Sequence, residues 1–370
     1  MTEVIVAADR NYTAGQWQLA WRKFKQNKVA LGAGVVLGLM YLVTLLSGFV
    51  APYEPDHRFS ERPFVPPQGV HLWGEEQGFE WRPFVYGLEV TFDEKTGRRI
   101  YVRDSAARYP LRLFASGDAH GMLGFKTTLH LFGVEAPPAE GVFLFGTDRQ
   151  GRDLFSRVLY GARVSLTIGL VGVFISVILG TVLGVVSGYF GGWADELLQR
   201  TIEILRAFPQ IPLWMALSAA IPADVDQLTA YFSITLILSF LGWTTLARMV
   251  RGRVLSLRTE EYILAAQLMG AGHARVVFRH LIPGVMGQII VVATIAVPTM
   301  ILAESSLSFL NLGIRPPMTS WGVLLQEGRS LTTLYFHQWL LVPAIFIFIV
   351  VLCFNFLGDG FRDAADPYSD

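Results

Sequence analysis

The sequence predicts an all-α integral membrane protein of six transmembrane helices, with a small external α+β insertion between the first two. Three observations predict it. Of 370 residues, 52% are hydrophobic and only 16% charged, whereas soluble domains carry about a quarter charged residues. Several apolar runs approach the roughly 20 residues a helix needs to cross a hydrocarbon core. Basic residues cluster beside the first run and again in one later loop, as expected of segments that stay in the cytoplasm.

Five runs qualify as spans: residues 29–50, 164–189, 231–247, 285–302 and 339–357. A sixth, 205–221, is weaker because Pro209 and Pro212 interrupt it and Arg206 stands at one end. Arginine can snorkel to the interface, and neighbouring helices can cover the groups a proline frees. Arg22, Lys23, Lys25 and Lys28 precede the first span, which predicts a cytoplasmic N-terminus. Six spans then return the C-terminus to the same side. They also place inside the loop 249–283, with Arg251, Arg253, Arg258, Arg275 and Arg279. The predicted organisation is a cytoplasmic segment 1–28, a first helix 29–50, an external insertion 51–163, a five-helix core 164–357 and a cytoplasmic tail 358–370. The first apolar run is too long for the h-region of a cleaved signal peptide and is expected to stay as an anchor.

The insertion carries 14 Lys/Arg and 15 Asp/Glu; long loops cross a membrane regardless of such charges. Residues 84–92 and 99–103 alternate like strands around a turn, Asp93 to Gly97, and predict a hairpin. Trp73, Phe79, Trp81, Phe84, Tyr86, Phe92, Tyr101, Leu111, Leu113 and Phe114 are its candidate core. Its external position makes it a candidate to dock or guide a soluble partner, with a structural cap over the helices as the alternative.

Composition excludes several functions. Zero net charge gives no argument for nucleic acid. One cysteine, Cys353, excludes an internal disulfide, and seven scattered histidines show no metal-ligand spacing. There is no Gly-rich phosphate loop ending in Lys-Ser/Thr. A membrane-embedded enzyme would need paired intramembrane acids or histidines, and spans one, two, four and six offer none.

Within the basic loop, Thr259 is placed to cap a helix whose first turn holds Glu260 and Glu261, where the helix dipole favours acids. Ala265 and Ala266 give that helix a small side, Gly270 suits its C-terminal end, and Pro283 starts the next element. A small-faced helix at the tip of a membrane protein suits a groove on a partner. The spacing Glu261-Tyr262-x-x-Ala265-Ala266-x-x-x-Gly270, followed by His280-x-Ile282-Pro283, resembles the EAA loop of bacterial ABC importer permeases. Histidine at 280 resembles the dipeptide/oligopeptide branch; Gly284 stands where that branch usually has asparagine. Residues 145–157, 188–196, 304–317 and 354–363 resemble further signatures of the branch, whereas most of 51–142 has no counterpart there.

The resemblance implies a permease subunit that moves a solute by alternating access in the bacterial inner membrane. It implies a second homologous permease, two ATPase subunits that carry the ATP and Mg, and an extracytoplasmic solute-binding protein. This chain would hold no cofactor, and the loop with Glu261, Tyr262, Ala265, Ala266, Gly270, His280 and Pro283 would couple to the ATPase. Di- or oligopeptide is the first choice of cargo, with oligosaccharide or another small solute as the alternative; the loop argues against a plain receptor or scaffold.

Other features have structural readings. Gly180, Gly184 and Gly188, like Gly34 and Gly38, fit close helix packing. Asp148 is expected to start an interfacial amphipathic helix, with Leu154, Phe155, Val158 and Leu159 on one face and Arg152, Asp153, Ser156 and Arg157 on the other. Glu304, beside Ser305, is expected at a span end within reach of interfacial water, in either a structural network or the pathway.

Overall fold

A computed structural model describes residues 16–74, 78–94, 97–122, 125–137, 140–222 and 224–365. The chain opens with α1 (Gln16–Gln26), α2 (Lys28–Leu45) and the short α3 (Ser47–Val50). Four strands follow: β1 (His71–Gly74), β2 (Gly78–Phe92), β3 (Arg99–Met122) and β4 (Phe125–Val134). Then come α4 (Leu154–Phe190), α5 (Gly192–Ala207), α6 (Gln210–Ala219), α7 (Gln227–Leu257), α8 (Glu261–Leu268) and α9 (His273–Val276). A π-turn (Val277–Leu281) leads into α10 (Ile282–Phe309), followed by α11 (Trp321–Gln326), α12 (Leu331–Phe336) and α13 (Val342–Ala365). These form two compact units, Met1–Leu39 with Ile168–Glu304 and Phe348–Asp370, and Met40–Thr167 with Ser305–Ile347.

Small residues set the first unit. A Cβ at Gly180 would lie 2.8 Å from the Leu246 Cβ, at Gly184 2.6 Å from the Ala247 carbonyl oxygen, and at Gly188 2.8 Å from that of Arg251. Backbone cannot yield, so only glycine permits this approach of α4 to α7. The partners advance together along both helices, so α4 and α7 run parallel. The intervening chain therefore has to travel back along their length, and α5 and α6 do so. Asp195 on α5 binds Arg251, Ile202 packs on Trp243 and Ala247, and α6 continues along α7.

Five helical stretches are long and apolar enough to cross a bilayer, among the described residues. The expected third span, 205–221, is not one helix. Pro209 forces Phe208 out of helical geometry (φ −87°, ψ 138°), because the ring crowds the preceding residue. Pro212 is tolerated in the first turn of α6, where no N–H is needed. The sixth passage is thus made by two short helices.

The remaining helices alternate in direction. Gly169 faces Val297 and Ile301, and Leu257 meets Gly284, so α10 is antiparallel to α4 and α7. Gly287 faces Ala365 and Gly358 faces Ile295, which reverses α13 against α10. Gly360 meets Ala30 and Gly34 meets Leu357, which reverses α2 against α13. One end of this unit therefore gathers the start of α2, the ends of α4, α7 and α13, and the whole segment between α7 and α10. Gly38 differs from the expectation: nothing lies within 4 Å of its Cβ position.

In the second unit the sheet order is β1-β2-β3-β4, antiparallel throughout. The expected hairpin forms, with Val90 opposite Tyr101 and Phe92 opposite Arg99; Lys95 and Thr96 of its turn lie outside the described residues. Both strands run longer than expected, and β3 pairs with β2 through one half and with β4 through the other.

The expected core of the insertion needs correction. Phe84 and Tyr86 are buried, but Trp73, Phe79, Trp81, Phe92, Leu113 and Phe114 are exposed. Phe79 and Trp81 precede the point where β3 joins β2 at Phe84. That end is a two-stranded ribbon, which cannot enclose a core. The buried cluster instead consists of Phe59, Val65 and Phe143, flanked by Tyr53, Leu88 and Tyr101.

Residues 148–159 also differ from expectation. Helix α4 starts at Leu154, and Asp148, Arg152, Asp153, Ser156 and Arg157 are buried together with Leu154, Val158 and Leu159. Asp148 binds both Arg152 (2.7 Å) and Arg157, and Glu327 binds Arg152 (3.1 Å) and Arg157 (3.0 Å). This is an enclosed ion-pair network, not an interfacial helix, because Glu327, in the 3-10 turn that directly follows α11, supplies the countercharge. Gly146 and Gly151 close the turn at φ +78° and +74°, with Cβ positions 2.4 and 2.1 Å from the carbonyl oxygens of Val65 and Phe59. Asp153 accepts from the Ser156 N–H and hydroxyl, yet burial pushes its carboxyl up to about 7.

Candidate functional site

The loop between α7 and α10 is a helix–turn–helix pinned to one end of the first unit. The N-cap of α8 is Glu260 rather than Thr259. Thr259 turns its hydroxyl back to the Ser256 carbonyl (2.9 Å), while the Glu260 carbonyl accepts from Ile263 and Leu264. Glu261 stands in the first turn, where the dipole favours a carboxylate.

The helix ends as the sequence predicts. Gly270 adopts φ +85° and its N–H donates to the Gln267 carbonyl, while the Ala271 N–H reaches the Ala266 carbonyl (3.0 Å). This Schellman closure needs a left-handed residue, which glycine supplies without strain. Pro283 sits in the first turn of α10. It has no N–H to give, and the turn before it widens to a π-turn in which Ile282 donates to Val277.

The two faces of α8 differ. Ile263 and Ala266 are buried, and Ile263 belongs to a cluster with Val276, Leu281, Val285, Leu257, Val254, Val250 and Val185. Tyr262 leans on His280 (ring centroids 6.2 Å apart) and approaches Gly284. Glycine at 284, where the related pattern has asparagine, leaves room for Leu257, whose Cδ1 would lie 3.0 Å from a Cβ at that position. The opposite side presents Glu261, Ala265, Leu268 (89% exposed) and Met269 (82%), with Phe278 (72%) on the following turn. Of the two alanines, Ala265 is outward and Ala266 packs inward.

Polar ties brace the base of the loop. Arg251 forks onto both Asp195 oxygens (2.5 and 2.6 Å), and Ser187 also donates to Asp195. Arg258 donates to the Gly188 carbonyl (3.2 Å), and Tyr189 shares a hydrogen bond with His273 (2.9 Å). Sequence reasoning missed this bracing, although residues 188–196 resemble a signature of the branch. It also missed the exposed Leu268, Met269 and Phe278, whose signal was large apolar residues inside an arginine-rich loop.

Glu304 and Ser305 stand 21 and 22 residues beyond Pro283, in the far part of α10. Helix α10 continues to Phe309, so Glu304 lies inside it and is completely buried. The expected span end with access to interfacial water is therefore incorrect. Ser305 is buried where Gly322 rests on its backbone, the Gly322 Cβ position being 2.6 Å from the Ser305 Cα. The helix closes at Asn311 (φ +63°), with the Leu312 N–H donating to the Leu307 carbonyl. No group of three or more histidine, cysteine or acidic side chains is placed to hold a metal, among the described residues.

The family of binding-protein-dependent transport system inner membrane components matches residues 180–368. The N-terminal TM domain of oligopeptide transport permease C matches 15–67. The oligopeptide transport system permease protein OppC of Haemophilus influenzae is 43% identical over 233 residues, 63% of this chain and 72% of that one. The dipeptide transport system permease protein DppC of Bacillus subtilis is 42% identical over 224 residues, 60% and 68%. The glutathione transport system permease protein GsiD of Escherichia coli is 43% identical over 223 residues, 60% and 71%. An inward-facing structure of the MetNI methionine ABC transporter superposes with a TM-score of 0.45 at 21% identity, covering 58% of this chain and 98% of that one.

Proposed function

The chain belongs to the binding-protein-dependent transport system inner membrane components and is the permease subunit of an ABC importer; from that premise we propose that it imports peptides and that α8 is its coupling helix. The observation that carries the coupling assignment is the division of α8. One side is locked into the core through Ile263 and Ala266, and the other offers Ala265, Leu268 and Met269 to a partner. Close-packed interiors transmit displacement rather than absorb it. A push on α8 therefore moves Leu257, Val254 and Val285, and with them the ends of α7 and α10. The Arg251–Asp195 fork extends that linkage to α5.

The ATPase, which carries the ATP and Mg, is a separate chain in this reading, present in two copies beside a second homologous permease and an extracytoplasmic solute-binding protein. Relatives named for oligopeptide, dipeptide and glutathione transport support a peptide cargo. The end of the first unit that gathers α8, the start of α2 and the end of α13 is cytoplasmic in this reading, supported by Arg22, Lys23, Lys25, Lys28, Arg251, Arg253, Arg258, Arg275 and Arg279. Glu304 and Ser305 are assigned to the pathway or its gate, since a buried intramembrane carboxylate is costly to keep without a role. On the external side, exposed Trp73, Phe79 and Trp81 form one ring cluster on the β1–β2 ribbon, where the binding protein would arrive.

The test is reconstitution with the partner subunits in proteoliposomes. ATP-dependent accumulation of a labelled peptide, lost when Ala265 is replaced by tryptophan, is expected. Unchanged accumulation in that variant would remove the coupling role. Accumulation of a labelled oligosaccharide but no peptide would remove the cargo.

A further inference from the structure

The β3–β4 hairpin carries an apolar surface that nothing in the sheet uses. Leu113 and Phe114 are neighbours in β3, and both are exposed, at 72% and 62%. Consecutive strand residues normally point to opposite faces. Phe114 departs from the strand conformation at φ +57°, a value rare for a bulky residue, and both side chains end up outward.

What lies beside them identifies the occupant. The Phe114 ring is 6.2 Å from that of Phe49 on α3. Helix α3 prolongs α2 almost without a break, since Phe49 and Val50 donate to the Leu46 carbonyl and Leu46 to that of Leu42. From Lys28 to Phe49 the rise is roughly 32 Å at 1.5 Å per residue, against a hydrocarbon core of about 30 Å. Phe49 therefore stands at the far boundary of the bilayer. Leu42 and Leu45 below it are exposed on a helix apolar enough to cross the membrane, so they face lipid. Leu42, Leu45 and Phe49 share one side of the helix, and the Phe49–Phe114 ring contact carries that side onto the hairpin, where Leu113 is the next residue along β3.

We infer that Leu113 and Phe114 insert into the external headgroup–acyl boundary, so that the β3–β4 hairpin is a second membrane anchor beside the first helix. The occupant is lipid: aromatic and aliphatic side chains gain by entering this boundary, where the amphipathic interface accepts rings. The sheet behind them is fixed to the same helix end. His130 hydrogen-bonds the Ala51 carbonyl and the Asp118 carbonyl, and His120 packs on Gly48. The hairpin is thereby held at the depth of the membrane surface.

The test is site-directed spin labelling of the full chain in phosphatidylcholine nanodiscs, in a Cys353→Ser background. Phe114→Cys and Leu113→Cys are the test sites, and Trp81→Cys, 89% exposed on the β1–β2 ribbon, is the water reference. At positions 113 and 114, collisions with oxygen are expected to exceed those with a water-soluble nickel chelate several-fold, with the reverse order at 81. Leu113→Cys keeps the reading if the unusual backbone at 114 tolerates no substitution. Nickel accessibility at 113 and 114 equal to that at 81 would overturn the inference by placing the hairpin in water. Protection from both reagents would also overturn it, by showing a protein surface over the patch.

Discussion

Replacing Leu268 by alanine separates docking from folding. Leu268 is 89% exposed in the chain, so truncation there changes stability by no more than about 0.5 kcal/mol. If α8 enters a groove on the ATPase, Leu268 becomes buried, and three carbons are lost from that contact. At about 0.8 kcal/mol per buried CH₂ this amounts to about 2 kcal/mol. A loss of 1.4 kcal/mol is tenfold in affinity, so the dissociation constant should rise about 30-fold. Met269→Ala should behave similarly, at the adjacent 82% exposed position. The assay is surface-immobilised permease in nanodiscs titrated with the purified ATPase subunit, with thermal unfolding measured in parallel. Unchanged affinity in both variants would refute the assignment of this face. Ala266 is unsuitable for the same purpose. It is buried, and a tryptophan there would overpack the core at a cost of about 1–3 kcal/mol, so a transport defect would not report docking.

Other expectations follow from the packing and the charges. Gly184→Leu should abolish folded, monodisperse protein in size-exclusion chromatography, because its Cβ meets the Ala247 carbonyl, whereas Gly38→Leu should elute as wild type because its site is open. Arg157→Met leaves Asp148 buried with half its countercharge and should lower stability by about 3–5 kcal/mol, read as a fall in melting temperature; Asp148→Leu in the same chain should restore much of it. Asp153 has a carboxyl raised to about 7 in the folded chain against an ordinary value of 3.8. The folded state therefore holds the proton where the unfolded state has lost it, and this site's stabilisation falls as pH rises from about 4 through 7. Asp153→Asn should flatten that decline, with the largest gain in melting temperature at pH 8 and none at pH 4.

The helical architecture was legible because its signals are local. Length and apolarity mark each span, and the glycine spacing at 180, 184 and 188 marks the α4–α7 contact. The closure of α8 was legible for the same reason: only a left-handed residue at 270 completes it. What failed depended on partners distant in sequence. Arg152 and Arg157 look like a solvated helix face until Glu327, 170 residues beyond Arg157, reaches them. The aromatics of the insertion look like a core until the pairing register shows β3 joining β2 only at Phe84, which leaves Trp73, Phe79 and Trp81 on a bare ribbon. Ala265 and Ala266 are indistinguishable in composition, and only the Ile263 cluster decides which one faces outward. The third span failed differently, because Pro209 was visible but the parallel run of α4 and α7 was needed to show that two short helices make the passage.

The central claim, that α8 is where this permease meets its ATPase, is tested most directly by a photo-crosslinking amino acid at position 265 in the assembled transporter. A parallel position at Val35, exposed on α2, reports background capture. The account predicts a covalent product between residue 265 and the ATPase subunit, identified by mass spectrometry and absent at 35. An ATPase that copurifies and hydrolyses ATP, yet forms no product at 265 above the level seen at 35, would contradict it.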